Sequence, residues 1–215
     1  MTIVCLEIHT VLSAYDPKRT FDRKLVSIGM ATDDGQRFYV VNGEAPIHDV
    51  CTQLPGRVWK ALPLNHDPVN IDSLDPDVRS LTDAKAAVAA FLQQLDAPEF
   101  WSMDGQVDQR HLMEAFDYHH HSMFPEGFPY WISSVREHRA KTLESVRQQN
   151  PDRFTQLLMS GEGSHLHGPL AQRSAYKNAH RTLLALQRTH DLIDAHELPA
   201  PADVAGAVHL SGDAR

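Results

Sequence analysis

The stretch LVSIGMATDDGQRFYVV (Leu25–Val41) decides how the chain folds. It holds two β-branched, apolar runs, Lys24–Thr32 and Gln36–Val41, separated by Asp33-Asp34-Gly35. Asp and Gly tolerate the turn conformations that hairpins need, so the segment reads as two antiparallel strands joined tightly. Upstream, Thr2–Ile8 is another short run of Ile, Val and Leu and reads as a buried strand. The polar segment Thr10–Arg23, with Asp16-Pro17 inside it, reads as the loop between that strand and the hairpin.

Downstream the pattern changes period. Ile47, Val50, Cys51 and Leu54 recur at helical spacing until Pro55 intervenes. Pro63–Pro76 is rich in Pro, Asn and Asp and reads as an exposed connection. LTDAKAAVAAFLQQLD is a helix expected to start on a Thr82 cap, with Ala86, Ala87, Ala90, Phe91 and Leu95 along its inner face. Glu99–Met103 is a short apolar strand, and DGQ turns it into a helix with Val107, Leu112, Met113 and Phe116 facing inward. Phe128–Ile132 (FPYWI) reads as a further strand. Ser133 and Ser134 then offer a cap for the polar helix SVREHRAKTLESVRQQ. Pro151 opens another helical stretch through Met159, SGEGSHLHGP is a loop by its glycines, and LAQRSAYKNAHRTLLALQRTHDLI is a long last helix. From His196 the composition turns to Pro, Ala and Gly, which reads as a flexible tail over 196–215.

Three early strands followed by helix–strand alternation predict one α/β domain over residues 1–195, a mixed sheet with helices packed on it. The 215 residues suit that size, and 42% hydrophobic composition supplies a packed core. No run is long enough to span a bilayer, and no basic-then-apolar leader is seen at the N-terminus. With only Cys5 and Cys51, and no metal-spaced cysteine motif, the expectation is a cytoplasmic protein with free thiols. The 28 acidic residues against 20 Lys and Arg argue against coating of duplex nucleic acid, though a local basic patch is enough to grip one strand end.

Three polar positions fall where the predicted sheet brings its elements together: Glu7 late in the first strand, Asp108 at the start of the helix after FWSM, and Asn178 on the last helix. His9 shares the strand face of Glu7. In this order the chain resembles the DEDD-type 3'-5' exonucleases of the ribonuclease H-like superfamily, in particular the small bacterial and phage exoribonuclease-like branch. The likeness lies in CLE (Cys5–Glu7), LVSIGMATDDGQRFYVV, EFWSMDGQVDQRHLMEAF and RSAYKNAHRTLLAL, and follows the element order from Ile3 to Leu186. It implies a ribonuclease H-like mixed sheet, an antiparallel hairpin plus parallel strands, flanked by helices.

Position by position, the resemblance puts two of the family's four metal carboxylates on Glu7 and Asp108. The first motif's aspartate falls on Cys5, the final aspartate on Asn178, and the general-base histidine on Arg173. Two-metal phosphodiester cleavage needs two hard divalent cations held by oxygen. A thiol prefers softer metals, and an amide brings no charge. The implied centre is therefore degraded. No cofactor is expected, or Mg or Mn if the protein is active. The preferred role is binding of a nucleic-acid 3' end or a protein partner, with Arg173, Lys177 and Arg181 as nucleic-acid contacts. Two alternatives stay open: an active metal-dependent 3'-5' exonuclease, and a protein-binding regulator unrelated to nucleic acid.

Simpler readings stand beside these. Glu7 is also a polar residue near a strand end, Asp108 a helix cap, Asn178 a surface residue and Cys5 a small buried side chain. Among the 14 histidines, His119–His121 read as a solvated helix end, while His165 and His167 have the spacing of a metal pair without a third ligand nearby. His9 is the one positioned to join Glu7 and Asp108 in an altered site for a transition metal.

Overall fold

The computed structural model describes residues 1–12, 23–60, 62–63, 75–118, 124, 127–159 and 175–195. The hairpin forms as the sequence dictates. Strands β2 (Arg23–Thr32) and β3 (Arg37–Asn42) pair antiparallel from Ser27↔Val41 to Ala31↔Arg37. Their turn closes through Thr32 N donating to Gln36 O at 3.1 Å, with Gly35 in the left-handed region at φ +90°. Asp34 locks it by accepting from the Thr32 hydroxyl and, at 2.9 Å, from Gln36 Nε2.

Strand β1 (Ile3–Leu12) pairs antiparallel with β2 from Val4 to Leu12, with one register irregularity between His9 and Thr10. It outruns the expected Thr2–Ile8. Thr10–Leu12 and Arg23 belong to strands and not to a loop; 13–22 lie outside the described residues. Two contacts explain the extension. Val11 is buried with Val26, Val41 and Val50, and the Gln53 side chain brackets Leu12, accepting from its N–H and donating to its carbonyl, both at 2.8 Å.

The sheet is completed by parallel additions: β4 (Val78–Arg79) on β3, β5 (Glu99–Ser102) on β1, and β6 (Ser133–Ser134) on β5. The order β4-β3-β2-β1-β5-β6 is a ribonuclease H-like mixed sheet. β4 follows the Pro63–Pro76 connection, most of which lies outside the described residues, and no sequence signal announced it. FPYWI is not a strand: the Tyr130 carbonyl is taken by the Gln109 side chain, Tyr130 and Trp131 face solvent, and pairing starts only at Ser133.

Period-two alternation sends Val4, Leu6 and Ile8 of β1 into the main core with Leu25, Ile28 and Met30. Helices α3 (Leu81–Leu92) and α4 (Gln106–Ala115) cover that face. On the other face α7 (Ala175–Ala195) lays Ala179, Leu183 and Leu186 over Cys5, Ala31 and Trp101. Helix α1 (Ile47–Gln53), followed by the short α2 (Gly56–Trp59), closes the valine cluster around Val11. Helices α5 (Val135–Gln149) and α6 (Pro151–Met159) pack together through Val146 and Leu157. Among the described residues no helix is long and apolar enough to cross a membrane.

Two helix phases differ from expectation. α3 is capped by Ser80, not Thr82: its hydroxyl accepts from Asp83 N at 3.1 Å and donates to the Asp83 carboxylate at 2.8 Å. The buried stripe is therefore Ala84, Val88, Phe91 and Leu92, while Ala86 and Ala90 face solvent. In α4, Leu112 and Phe116 are buried, but Val107 is 44% exposed and Met113 half-buried, with Gln109 turned inward to hold Tyr130. Ser134 caps α5 as expected, accepting from Glu137 N at 3.2 Å.

Gly105, between β5 and α4, adopts φ +54°, ψ -108°, and a Cβ there meets Ser134 Cβ at 2.9 Å and Ile132 O at 3.1 Å. Gly105→Ala combines backbone strain with a clash against a neighbouring strand and is expected to cost about 2–4 kcal/mol. Gly35→Ala, whose Cβ meets nothing within 4 Å, is expected to cost clearly less. Urea unfolding midpoints of the two variants check this ordering.

Candidate functional site

Three elements converge beside the middle of β1, where its parallel neighbour β5 ends. β1 brings Glu7 and His9 on the face opposite the main core. The β5–α4 turn brings Asp104 and Asp108, and the first turns of α7 bring Asn178.

The turn is built to hold Asp108 in place. Gly105 N donates to Ser102 Oγ at 2.8 Å, and Asp104 N donates to Asp108 Oδ2 at 3.3 Å. Gly105, not Asp108, is the N-cap; Asp108 lies in the first helical turn and reaches back to the amide before the cap. Burial raises its carboxyl above the ordinary value. The Ser102 hydroxyl and Asp104 amide oppose that rise, the Asp104 charge adds to it, and Arg136 opposes it. Asp104 is itself paired with Arg136 at 2.8 Å.

Glu7 sits in the middle of the group. Its Oε1 accepts from Asn178 Nδ2 at 3.4 Å, and His9 Nε2 lies 3.7 Å from the same oxygen. Burial, then the Asp108 charge, pushes Glu7 up to about 8; the Asn178 amide opposes this and Asp104 adds to it. His9 is pushed down to about 4 by burial, and its Nδ1 shares a hydrogen bond with the wholly buried Ser27 at 3.0 Å. At neutral pH both members of the Glu7–His9 contact are thus mainly uncharged, so it is a polar contact and not an ion pair.

Cys5 is not part of this group. It is wholly buried among Ala31, Trp101, Val135, Ala179, Leu183 and Leu186. Burial drives its thiol far upward, and the charges acting on it are Asp33 and Glu99, at the other end of the strand. Asn178 is buried at 5% exposure, so it is no surface residue. Lys177 and Arg181 are exposed one helical turn apart beside it. Arg173, His119–His121, His165, His167 and the 196–215 segment lie outside the described residues. Among the described residues no group of three or more His, Cys, Asp and Glu is placed to hold a metal ion.

Ser27, Ser102, Asp104 and Arg136 did not emerge from sequence reading. Ser27 is visible only through register, because it is the direct β2 partner of His9. Ser102 and Asp104 flank the FWSM turn and were legible there as polar residues at a strand–helix junction. No protein-family model matches the chain, and no curated protein matches its sequence at a significant level.

The raised Glu7 carboxyl has a definite stability signature. A folded-state value above the ordinary 4.5 means that the folded state holds the proton more tightly. Its contribution is full below about 4.5 and is lost as pH rises through about 8. Glu7→Gln keeps the shape and the acceptor but cannot ionise. The variant is expected to gain stability relative to the parent steadily between pH 5 and pH 8, read from denaturant midpoints across that range. A difference independent of pH contradicts a buried, protonated Glu7.

Proposed function

We propose that the chain is an exonuclease-related, ribonuclease H-like protein whose two-metal centre is degraded, and that it acts by binding a nucleic-acid 3' end without trimming it. The observation that carries this reading is the Asn178–Glu7 hydrogen bond. It joins the first strand to the last helix where the resemblance calls for two carboxylates, and puts an amide against a carboxyl that keeps its proton at neutral pH. Such a pair is satisfied without a cation. Asp108 is likewise satisfied by its own turn. Should Mg or Mn bind, Glu7 and Asp108 are the residues to hold it, and its chemistry would be polarisation of a phosphoryl oxygen.

Binding is assigned to the exposed side of α7. Lys177 and Arg181 are exposed there, one turn apart, and Arg188 is exposed two turns further on. Phosphate contacts from such a stripe give a sequence-independent, salt-sensitive grip, and a local patch achieves it on an acidic chain. Cys5 and Cys51 are both free, which supports a cytosolic location.

A second reading, a protein-binding regulator, rests on a different place. Tyr130 and Trp131 are 65% and 46% exposed beside a groove of about 500 Å³ that is also lined by Trp101, Phe128, Glu137 and Lys141. Exposed Tyr and Trp are common anchors of protein interfaces.

Fluorescence anisotropy with short single-stranded RNA and DNA tests the first reading. Lys177→Glu with Arg181→Glu is expected to weaken binding at least ~10-fold at ~0.1 M salt and to flatten the log–log salt slope by about 1.4, two single-strand phosphate contacts' worth. Unchanged binding by the double variant, with loss of a protein partner in Tyr130→Ser/Trp131→Ser, favours the second reading. With Mg or Mn present the parent is expected to leave a 3'-end-accessible strand intact. A ladder of shortened products that disappears in Glu7→Gln and Asp108→Asn shows instead a working exonuclease.

A further inference from the structure

We infer that the groove beside Tyr130 and Trp131 is a docking slot for an extended peptide of a partner protein, one that alternates apolar and basic side chains and adds to the sheet as a strand on the outer edge of β5. This rests on the protein-binding reading of that groove and names its partner's chemistry; the α7 face has no part in it.

The slot exists because β6 starts late. Along one edge β5 is paired with β1, from Ile3↔Glu99 to Cys5↔Trp101. Along its other edge β6 pairs only with Trp101 and Ser102. Glu99 N donates to Thr2 O on the β1 side at 2.9 Å, so the N–H of the next residue, Phe100, points to the outer edge, upstream of the first β6 pair. The segment that would carry β6 further back is held off. Gln109 of α4 takes the Tyr130 carbonyl, and Tyr130 and Trp131 stand out into solvent. Between that segment and the β5 edge lies the groove of about 500 Å³, lined by Glu99 and Phe100 on the sheet side. Its volume falls in the ordinary range of ligand sites. An open strand edge is a template for a further strand, and strand addition is a recurring mode of peptide capture.

The two walls of the groove differ in chemistry. One carries the rings of Tyr130 and Trp131. The other is α5, with Glu137 and Lys141 exposed along it. Glu99 adds its carboxylate on the α5 side, because Phe100 enters the main core and its neighbour must face the opposite way. A strand laid in the plane of the sheet sends alternate side chains to the two walls. One set therefore meets the aromatic rings and the other the acids. The charged groups of the lining are two carboxylates, Glu99 and Glu137, against the single ammonium of Lys141. Arg136 is spent on Asp104, and His138 packs edge-on to Trp101 with ring centroids 5.2 Å apart. An excess of carboxylate favours Lys or Arg in the guest and disfavours a phosphate chain, which sets this groove apart from the α7 stripe.

A random heptapeptide phage library panned against the purified full chain is the test, followed by anisotropy with a fluorescent synthetic copy of an enriched peptide. Enriched sequences are expected to alternate apolar residues with Lys or Arg. Methylating the peptide's backbone nitrogens one at a time is expected to weaken binding at least ~10-fold at alternate positions and by less than ~2-fold at those between, because a strand turns every second N–H towards its neighbour. Trp131→Ser is expected to weaken binding at least ~10-fold. Glu137→Gln is expected to weaken it ~3-fold, and Lys141→Gln to tighten it by a similar factor. Binding that needs Tyr130 and Trp131 but tolerates methylation at every position overturns strand addition and leaves the protein-binding reading standing. A peptide that binds the Tyr130→Ser/Trp131→Ser variant as well as the parent overturns both. Failure to enrich any peptide, enrichment of acidic sequences, or single-stranded RNA or DNA whose binding is lost in that double variant likewise overturns the inference.

Discussion

β1 is the constraint on which the rest depends. It lies inside the sheet, with β2 antiparallel on one side and β5 parallel on the other, so both edges of its backbone are hydrogen-bonded and its register is fixed twice. With the register fixed, alternation leaves no choice about which side chains meet which layer. Val4, Leu6 and Ile8 must enter the main core, and Ile3, Cys5, Glu7 and His9 must face α7. The α7 side then changes character along the strand, apolar at Cys5 and polar from Glu7 onward. The change falls where the first turns of α7 arrive and where the parallel neighbour β5 ends in its turn. A site at that point follows from the sheet's wiring, as ligand sites in α/β sheets gather at the carboxyl ends of parallel strands.

Such a place carries an electrostatic cost. Two carboxyls, Glu7 and Asp108, are withdrawn from water near one another; burial raises both, and the Asp108 charge adds to Glu7's hold on its proton. A buried pair of this kind needs a cation, a proton or a hydrogen-bond donor. The chain uses the last two: Glu7 keeps its proton, and Asn178 donates to it. A carboxylate at 178 would remove that donor and set a third acid beside Glu7 and Asp108. The amide at 178 is therefore what keeps the group a self-contained polar cluster.

The sequence exposed the hairpin well because turn chemistry and strand composition agreed at Asp33–Gly35. It also brought Glu7, Asp108 and Asn178 to one place, because element order in a mixed sheet limits where three such positions can lie. What it left hidden was set by contacts distant in sequence. Val11 and Leu12 extend β1 only because α1 reaches across to them, and FPYWI fails as a strand because Gln109 takes the Tyr130 carbonyl. The cap of α3, Ser80, lies two residues before the expected Thr82, and the buried face falls on Ala84 and Val88 where Ala86 and Ala90 were expected. Cys5 and His9 both share the β1 face of Glu7. Period two states that they share a face, and only the path of α7 states which of them is covered.

The two acids, Glu7 and Asp108, also help to build the frame around them. Asp108 accepts the Asp104 amide and is supported by Ser102, so it helps build the turn that starts α4, whatever chemistry the site performs. Neighbouring Asp104 is tied to Arg136 on α5, and Gly105 is pressed against Ser134, so this turn also sets where α5 begins. Glu7, bonded to Asn178, pins α7 to the sheet at the end where no apolar side chain of β1 does so. Each acid therefore has a structural partner that a cation is not needed to provide. An amide at 178 keeps a further charge out of the cluster without loosening the frame, which presents the outer face of α7, with Lys177 and Arg181 exposed, beside it. Acids at positions 7 and 108 are thus by themselves no sign of cleavage, because each is held by a partner within the fold.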